Sequence, residues 1–475
     1  MCSILIKHGY LTTMKGEGTH IIEDGALAIE QDRIVSVGTT SEVTREYSGD
    51  VIIDASNHAI LPGLIDCHIH STLSLLRGLG QDVAEAEWMF GTIAPFRKYF
   101  TKELEIVGSK LCVLEAMKTG TTCFGDYGTY MPDLAQKVYE PIGVRANLCS
   151  TINELSPGRR DITKLFQFEP SVGETKLKEG LNLIDKWHGG ADGRITCLFG
   201  PHAPDMLSKE LLLHIKVLAE ERGLSMHMHV AQSWGREHKQ VFERYGKSPV
   251  RFLEEIGYLG PQLIAVHCHA TTPEELKLLA QSGTRMIGCP GSIGLIDGLV
   301  PPLWDYISVG GTAALGSDQS PPDGNRMFDQ MRYAAILNKI KHQDATVLPA
   351  WKVLRMATIE AAQCLGLDHQ IGSLEPGKKA DIILLDLNRP HLIPKVCVPI
   401  RNLVPNIVYQ ANGSEVTHVI VDGKIIMENR QVKTIDEVKI LKEAQKAAEE
   451  LTEKAAEDFI AAGSGLVSMM REGKL

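Results

Sequence analysis

Between residues 61 and 368, short apolar runs with strand character alternate with helical stretches. The runs are LIDCHIH (64 to 70), TTCFGDY (121 to 127), RANLCST (145 to 151), ITCLFGPH (195 to 202), LSMHMHVA (224 to 231), LIAVHCH (263 to 269), RMIGC (285 to 289) and TAALGSD (312 to 318). Alternation of this kind marks an α/β fold with a parallel sheet wrapped by helices. Eight such strands close a (β/α)8 barrel. An open doubly wound sheet is the alternative, disfavoured because no Gly-rich phosphate loop follows the first strand. Helices are expected at 209 to 222 and 272 to 283, the second with Thr272 as its N-cap.

The two ends of the chain read differently. Residues 1–60 hold short β-branched runs with turns, and ADIILLDL and THVIVDGKIIMENRQV within 369–475 have the same character, with Asp422-Gly423 as a hairpin turn. Both ends are therefore expected to share one small β-sandwich, and Asp436 to Phe459 to form an amphipathic helix packed on its own domain or on a dimer partner.

A net charge of -10 without an acidic or basic tail argues against nucleic acid and anionic membrane partners. With no signal-peptide core and no apolar run of about 18 residues, a cytoplasmic location is expected. Ten cysteines without CxxC pairs read as reduced, buried thiols. A homo-oligomer, dimer or higher, is expected, with a small molecule as substrate.

Polar residues at the C-terminal strand ends of a barrel converge on one mouth. Here those ends carry His68, His70, His202, His229, His267 and Asp318. On one strand His68 and His70, two apart, point to the same side and can grip one ion. Imidazoles with one carboxylate suit zinc or ferrous iron. One HxH pair alone is weak evidence; five matches at ordered strand ends are not.

PGLIDCHIHS, the strand-end histidines, GSD at the eighth strand and the closing GSLEPGKKADIILLD together resemble the amidohydrolase superfamily, in the branch of triazine hydrolases and methylthioadenosine/S-adenosylhomocysteine deaminases. The resemblance implies a distorted TIM-type barrel, one divalent metal per chain, zinc or alternatively iron, and water attacking a trigonal carbon. It gives His68, His70, His229 and Asp318 as metal ligands, with Asp318 also taking the water's proton. His267 orients the water or its product, and His202 contacts substrate. His227 is left a structural role one layer deeper, and His269 and Cys268 match nothing essential.

Two departures from the branch bear on substrate. Gln232 stands where related deaminases have a proton-carrying glutamate, and glutamine cannot carry that proton. It reads as a hydrogen-bonding group for substrate, with Asp126 and Glu237 as candidate replacement acids. Arg97 stands where nucleoside deaminases hold ribose hydroxyls with a glutamate; a cation suits a carboxylate or polarised oxygen better than a neutral diol. The segment 289–298 also lacks the family's usual asparagine, and Trp88 offers an apolar wall. The expectation is hydrolysis of a C–N bond in a small nitrogen heterocycle. The alternatives are dechlorination, dealkylamination, urea or amide hydrolysis, or a non-catalytic binding barrel. A binuclear centre is disfavoured because the fourth strand ends in Gly200-Pro201-His202, without a bridging lysine or carboxylate.

Overall fold

The computed structural model describes residues 2–475 other than 80–81, 84–86, 157–163 and 320–323. The central strands are Leu64–His70, Thr121–Gly128, Arg145–Ile152, Ile195–Cys197 with Gly200–Pro201, Met226–Val230, Leu263–His267, Arg285–Gly288 and Thr312–Leu315 with Asp318–Gln319. Every pairing among them is parallel. They form two hydrogen-bonded sheets, the first four strands with Asp318–Gln319 and the next three with Thr312–Leu315. A parallel bridge between Phe199 and Met226 links the sheets on one side. On the other, the eighth strand pairs with the seventh through its first piece and with the first through its second.

The fourth and eighth strands are each continuous in the sequence pattern but split in the structure. The second piece of the fourth strand ends at Pro201, which has no N–H to extend the ladder. In the eighth strand, a Cβ on Gly316 would lie 2.8 Å from the His68 carbonyl oxygen, so only glycine admits this close approach to the first strand. Asp66 fastens the same seam, accepting from the Ser317 amide at 3.0 Å, the Ser317 hydroxyl at 2.5 Å and the His68 amide at 3.3 Å.

The flanking helices begin and end where the sequence places caps. Lys209–Arg222 starts under the Ser208 side chain and stops at Gly223, whose φ of 65° suits glycine. Pro273–Gln281 opens with a reciprocal capping box between Thr272 and Glu275.

Strands from both ends of the chain form one nine-stranded sheet. His58–Pro62 joins the halves, running beside Cys2–Thr12 and antiparallel to Ile382–Asp386. Ile4, Ile6, Leu27 and Ile29 of the N-terminal half meet Ile382, Leu384 and Ile420 of the C-terminal half in one apolar cluster. The turn between Val416–Val421 and Lys424–Glu428 has Asp422 at φ 52° and Gly423 at φ 72°, as a two-residue hairpin of the expected kind requires.

Buried Arg145, at the start of the third central strand, ties this sheet to the centre. Its Nε donates to Asp381 Oδ2 at 2.8 Å, and its Nη2 reaches Asp381 Oδ1 at 3.0 Å and Asp422 Oδ1 at 3.2 Å. The C-terminal helix Glu437–Ala462 buries Ile440, Ala444, Leu451, Ala455 and Phe459 against its own chain, as expected of an amphipathic segment. Nine of the ten cysteines are buried, and all ten are free thiols. Among the described residues no helix is long and apolar enough to cross a membrane.

Candidate metal centre and active site

His68 and His70 end the first strand, His229 lies near the end of the fifth, His267 ends the sixth, and Asp318 opens the second piece of the eighth. The structure brings all five together. Ligand atoms of His68, His229 and His267 lie within 4.8 Å of one another, as do those of His68, His70 and Asp318. The Nε2 atoms of His68 and His70 each stand 3.4 Å from Asp318 Oδ1. Among the described residues, His68 Nε2 and Asp318 Oδ1 are buried without a hydrogen-bond partner. Buried polar atoms are normally satisfied. A convergent, unsatisfied imidazole and carboxylate fit a divalent cation.

The outer ring atoms fix how these groups point. His70 Nδ1 donates to the Tyr127 carbonyl at 2.7 Å, and His229 Nδ1 to the His202 carbonyl at 2.9 Å. Each therefore carries its proton on Nδ1 and leaves Nε2 with a lone pair. His227 is buried behind His68, with its Nε2 2.8 Å from His68 Nδ1. Ser292 donates to Asp318 Oδ2 at 2.7 Å and leaves Oδ1 facing the imidazoles.

Electrostatics keep the imidazoles neutral. Burial, reinforced by the neighbouring rings, holds His68 and His267 well below the ordinary histidine value, and His229 is held down first by burial and then by His70. Burial also pushes Asp318 up to about 6, against the pull of His70. His267, Cys268 and Asp318 have φ of 77°, 51° and 61°. Left-handed backbone at three non-glycine positions is costly and clusters where side chains must be aimed.

The remaining expected residues fall around this cluster in different ways. His202 is partly buried, its ring 5.2 Å from that of His229 and its Nδ1 3.1 Å from Asn153 Nδ2. Gln232 follows Ala231, and both backbone amides donate to the buried Glu237 carboxylate, at 2.6 and 2.9 Å. Burial and then Asp205 push Glu237 up to about 8, against those two amides. Asp126 accepts from the Ser71 hydroxyl at 2.6 Å, the Ser71 amide at 3.2 Å and the Tyr139 hydroxyl at 2.7 Å. Both carboxylates considered as replacement acids thus have their oxygens engaged in holding loops and strands.

Arg97 ends the helix Ala94–Arg97 and keeps solvent access. Enough protein still surrounds it to lower its guanidinium below the usual value, with Glu105 pulling the other way; His70 is lowered first by burial, with the Arg97 charge adding to it. Trp88 is buried with Leu73, Leu76, Phe96 and Phe459 in the apolar cluster beneath the C-terminal helix.

Sequence reasoning passed over three contributors: Tyr127, Ser292 and Asn153. Ser292 lay in view, inside the segment singled out for its missing asparagine. Tyr127 acts mainly through a backbone carbonyl, which has no signature in sequence.

Residues 59–426 match the model of the amidohydrolase family. The chain belongs to the amidohydrolase family. It is 36% identical over 452 residues to a 5'-deoxyadenosine deaminase of Methanosarcina mazei, covering 95% of this chain and 99% of that protein. It is 35% identical over 447 residues to a 5-methylthioadenosine/S-adenosylhomocysteine deaminase of Moorella thermoacetica, covering 94% of this chain and 99% of that one. Among solved structures, this amidohydrolase resembles an adenosine deaminase from Xanthomonas campestris with bound zinc, with a TM-score of 0.87, 26% identity and coverage of 95% and 98% of the two chains. An atrazine chlorohydrolase from Arthrobacter aurescens complexed with zinc shares its fold at a TM-score of 0.83 and 22% identity, covering 94% of this chain and 100% of that one. The deaminases among these are named for nucleoside substrates, whereas Arg97 and Gln232 had favoured a smaller heterocycle.

Proposed function

We propose that this amidohydrolase removes an amino group from a nitrogen heterocycle by hydrolysis, with His68, His70, His229 and Asp318 holding one divalent cation, zinc before iron. The observation that carries the reading is the pair of buried, unpartnered atoms, His68 Nε2 and Asp318 Oδ1, converging among neutral imidazoles. We read the two parallel sheets as one distorted (β/α)8 barrel spanning residues 61–368, with residues 1–60 and 369–475 contributing a small β-sandwich and the tail helix.

Held by these four residues, a divalent cation would lower the pKa of a bound water from 15.7 toward about 7, the chemistry that yields a nucleophile near neutral pH. Asp318 would accept the attacking water's proton and return it to the departing nitrogen, so that the C–N bond breaks with release of ammonia, while the Ser292 hydroxyl keeps its other oxygen in place. His267, neutral and held in left-handed backbone, orients the attacking oxygen from the sixth strand. His202 and Gln232 hydrogen-bond the heterocycle, and Arg97 receives a carboxylate or polarised oxygen at the mouth. Trp88, packed with Phe96 in one apolar cluster, supports the helix that carries Arg97.

A nucleoside substrate is the second reading, favoured by two deaminase relatives that each align over nearly their whole length. Turnover of zinc-loaded protein on 5'-deoxyadenosine, 5'-methylthioadenosine, S-adenosylhomocysteine and the corresponding free aminated heterocycles, with and without a carboxylate, tests both. Ammonia release from a free heterocycle is expected. Preference for the nucleosides moves the assignment to the second reading, and absence of ammonia from every compound overturns deamination.

A further inference from the structure

The C-terminal helix Glu437–Ala462 ends at Gly463, and a second, shorter helix, Gly465–Arg471, follows it. Between these two helices and Ala94–Arg97 lies a cavity of about 440 Å³ that draws on none of the residues around the metal centre. The Phe96 and Phe459 rings meet there, centroids 5.2 Å apart, with Leu466 and Val467 buried beside them. Ile460 and Met470 line the cavity while staying 48% and 58% exposed. Arg471 is the one charged residue on its lining, and among the described residues that guanidinium has no ion-pair partner.

Size, polarity and charge narrow what such a cavity can hold. A sphere of this volume is about 9 Å across, narrower than the roughly 10–12 Å of a helix with its side chains, so a helical segment of another protein does not fit. Small-molecule pockets begin at about 300 Å³. The apolar wall suits an aliphatic chain, which gains by leaving water. A single guanidinium matches a single negative charge, and its planar fork fits a carboxylate. A phosphate monoester would bring nearly two charges to that one cation. An anionic bilayer is opposed by Glu449, Glu450, Glu453 and Glu457, exposed on the long helix.

We infer that this cavity binds one free aliphatic monocarboxylate of medium chain length, with the chain among Phe96, Phe459 and Leu466 and the carboxylate at Arg471. Each methylene that enters should tighten binding about fourfold, and the gain should stop once the chain fills the cavity. Arg471 is exposed, so its share should be small, about 2- to 5-fold.

Calorimetric titration of the zinc-loaded full chain with hexanoate, octanoate, decanoate, dodecanoate and tetradecanoate, each kept below micelle formation, tests this. One saturable site per chain is expected, with affinity rising about fourfold per methylene over the shorter acids and then levelling. Ala456→Trp, which fills the cavity from the long helix, should weaken decanoate by about 10-fold or more. Thr452→Phe fills it from one turn earlier and serves if the first variant does not fold. Arg471→Gln should weaken decanoate about 2- to 5-fold and leave decan-1-ol unchanged. No saturable binding, an affinity that keeps climbing through tetradecanoate, or decanoate binding indifferent to both cavity-filling variants overturns the inference. So does a protein that sediments as a dimer and binds no decanoate, but in Ile460→Asp becomes a monomer that binds it, because a second copy then covers the cavity. Equal losses of acid and alcohol in Arg471→Gln overturn the carboxylate assignment.

Discussion

His227 stands behind His68, its Nε2 2.8 Å from His68 Nδ1, with both rings buried. The contact fixes which edge His68 turns to the centre, as outer partners of metal-binding imidazoles generally do. Replacing His227 with alanine should weaken metal binding about 10- to 100-fold. Competition with a zinc chelator measures this, and His227→Gln, which can still hydrogen-bond, should lose less. Equal affinity in all three proteins would remove His227 from the centre's support.

Asp318 is assigned a proton to accept as well as an ion to hold. Asp318→Asn keeps an oxygen but not the basicity, so kcat should fall about 10²- to 10⁴-fold, the usual worth of general acid-base help. Ser292→Ala, which frees only the outer oxygen, should cost much less. Kinetics on protein of equal metal content separate the two effects.

Gln232 offers the opposite experiment. Gln232→Glu restores a group able to carry a proton beside the reacting carbon. For a poorly departing amine, kcat should rise, by up to about 10²-fold. A change confined to KM would show that this position acts on binding alone.

Arg145 is buried with Asp381 and Asp422 around it, 2.8 Å from Asp381 and 3.2 Å from Asp422. Arg145→Met leaves the buried Asp381 carboxylate without its cation, while Asp422 keeps Lys379 at 3.0 Å, and should cost about 3–5 kcal/mol in urea denaturation. Arg145→Lys keeps the charge but loses the two-pronged geometry, so an intermediate loss is expected.

Glu237 gives stability a pH dependence of definite sign. Its pKa rises from an ordinary 4.5 to about 8 on folding, so the folded state keeps a proton that the unfolded chain releases between those values. Its contribution is full below about 4.5 and disappears as pH climbs through about 8. The thermal midpoint should decline over this window more steeply in the unaltered protein than in Glu237→Gln. Parallel slopes would mean that Glu237 stays ionised when folded.

Much of the architecture is legible because hydrophobic period and capping residues are local properties. Leu64–His70 and Lys209–Arg222 fall where the pattern puts them, and strand-end position alone gathers His68, His70, His229, His267 and Asp318. What escapes sequence reading depends on partners remote in the chain. The break in the eighth strand comes from the packing of Gly316 on His68. Asp126 and Glu237 looked available as acids until their hydrogen bonds to Ser71, Tyr139, Ala231 and Gln232 were visible. Nothing in the residues around Arg145 announces a link to Asp381 and Asp422.

The antiparallel pairing of His58–Pro62 with Ile382–Asp386 also bears on how the molecule is born. On a ribosome, the early strand emerges long before its partner and must wait while nearly all the central α/β region is made. Its Ile60 and Leu61 stay open to wrong mates throughout that interval. Completion of the chain, rather than the catalytic half alone, is what retires that hazard.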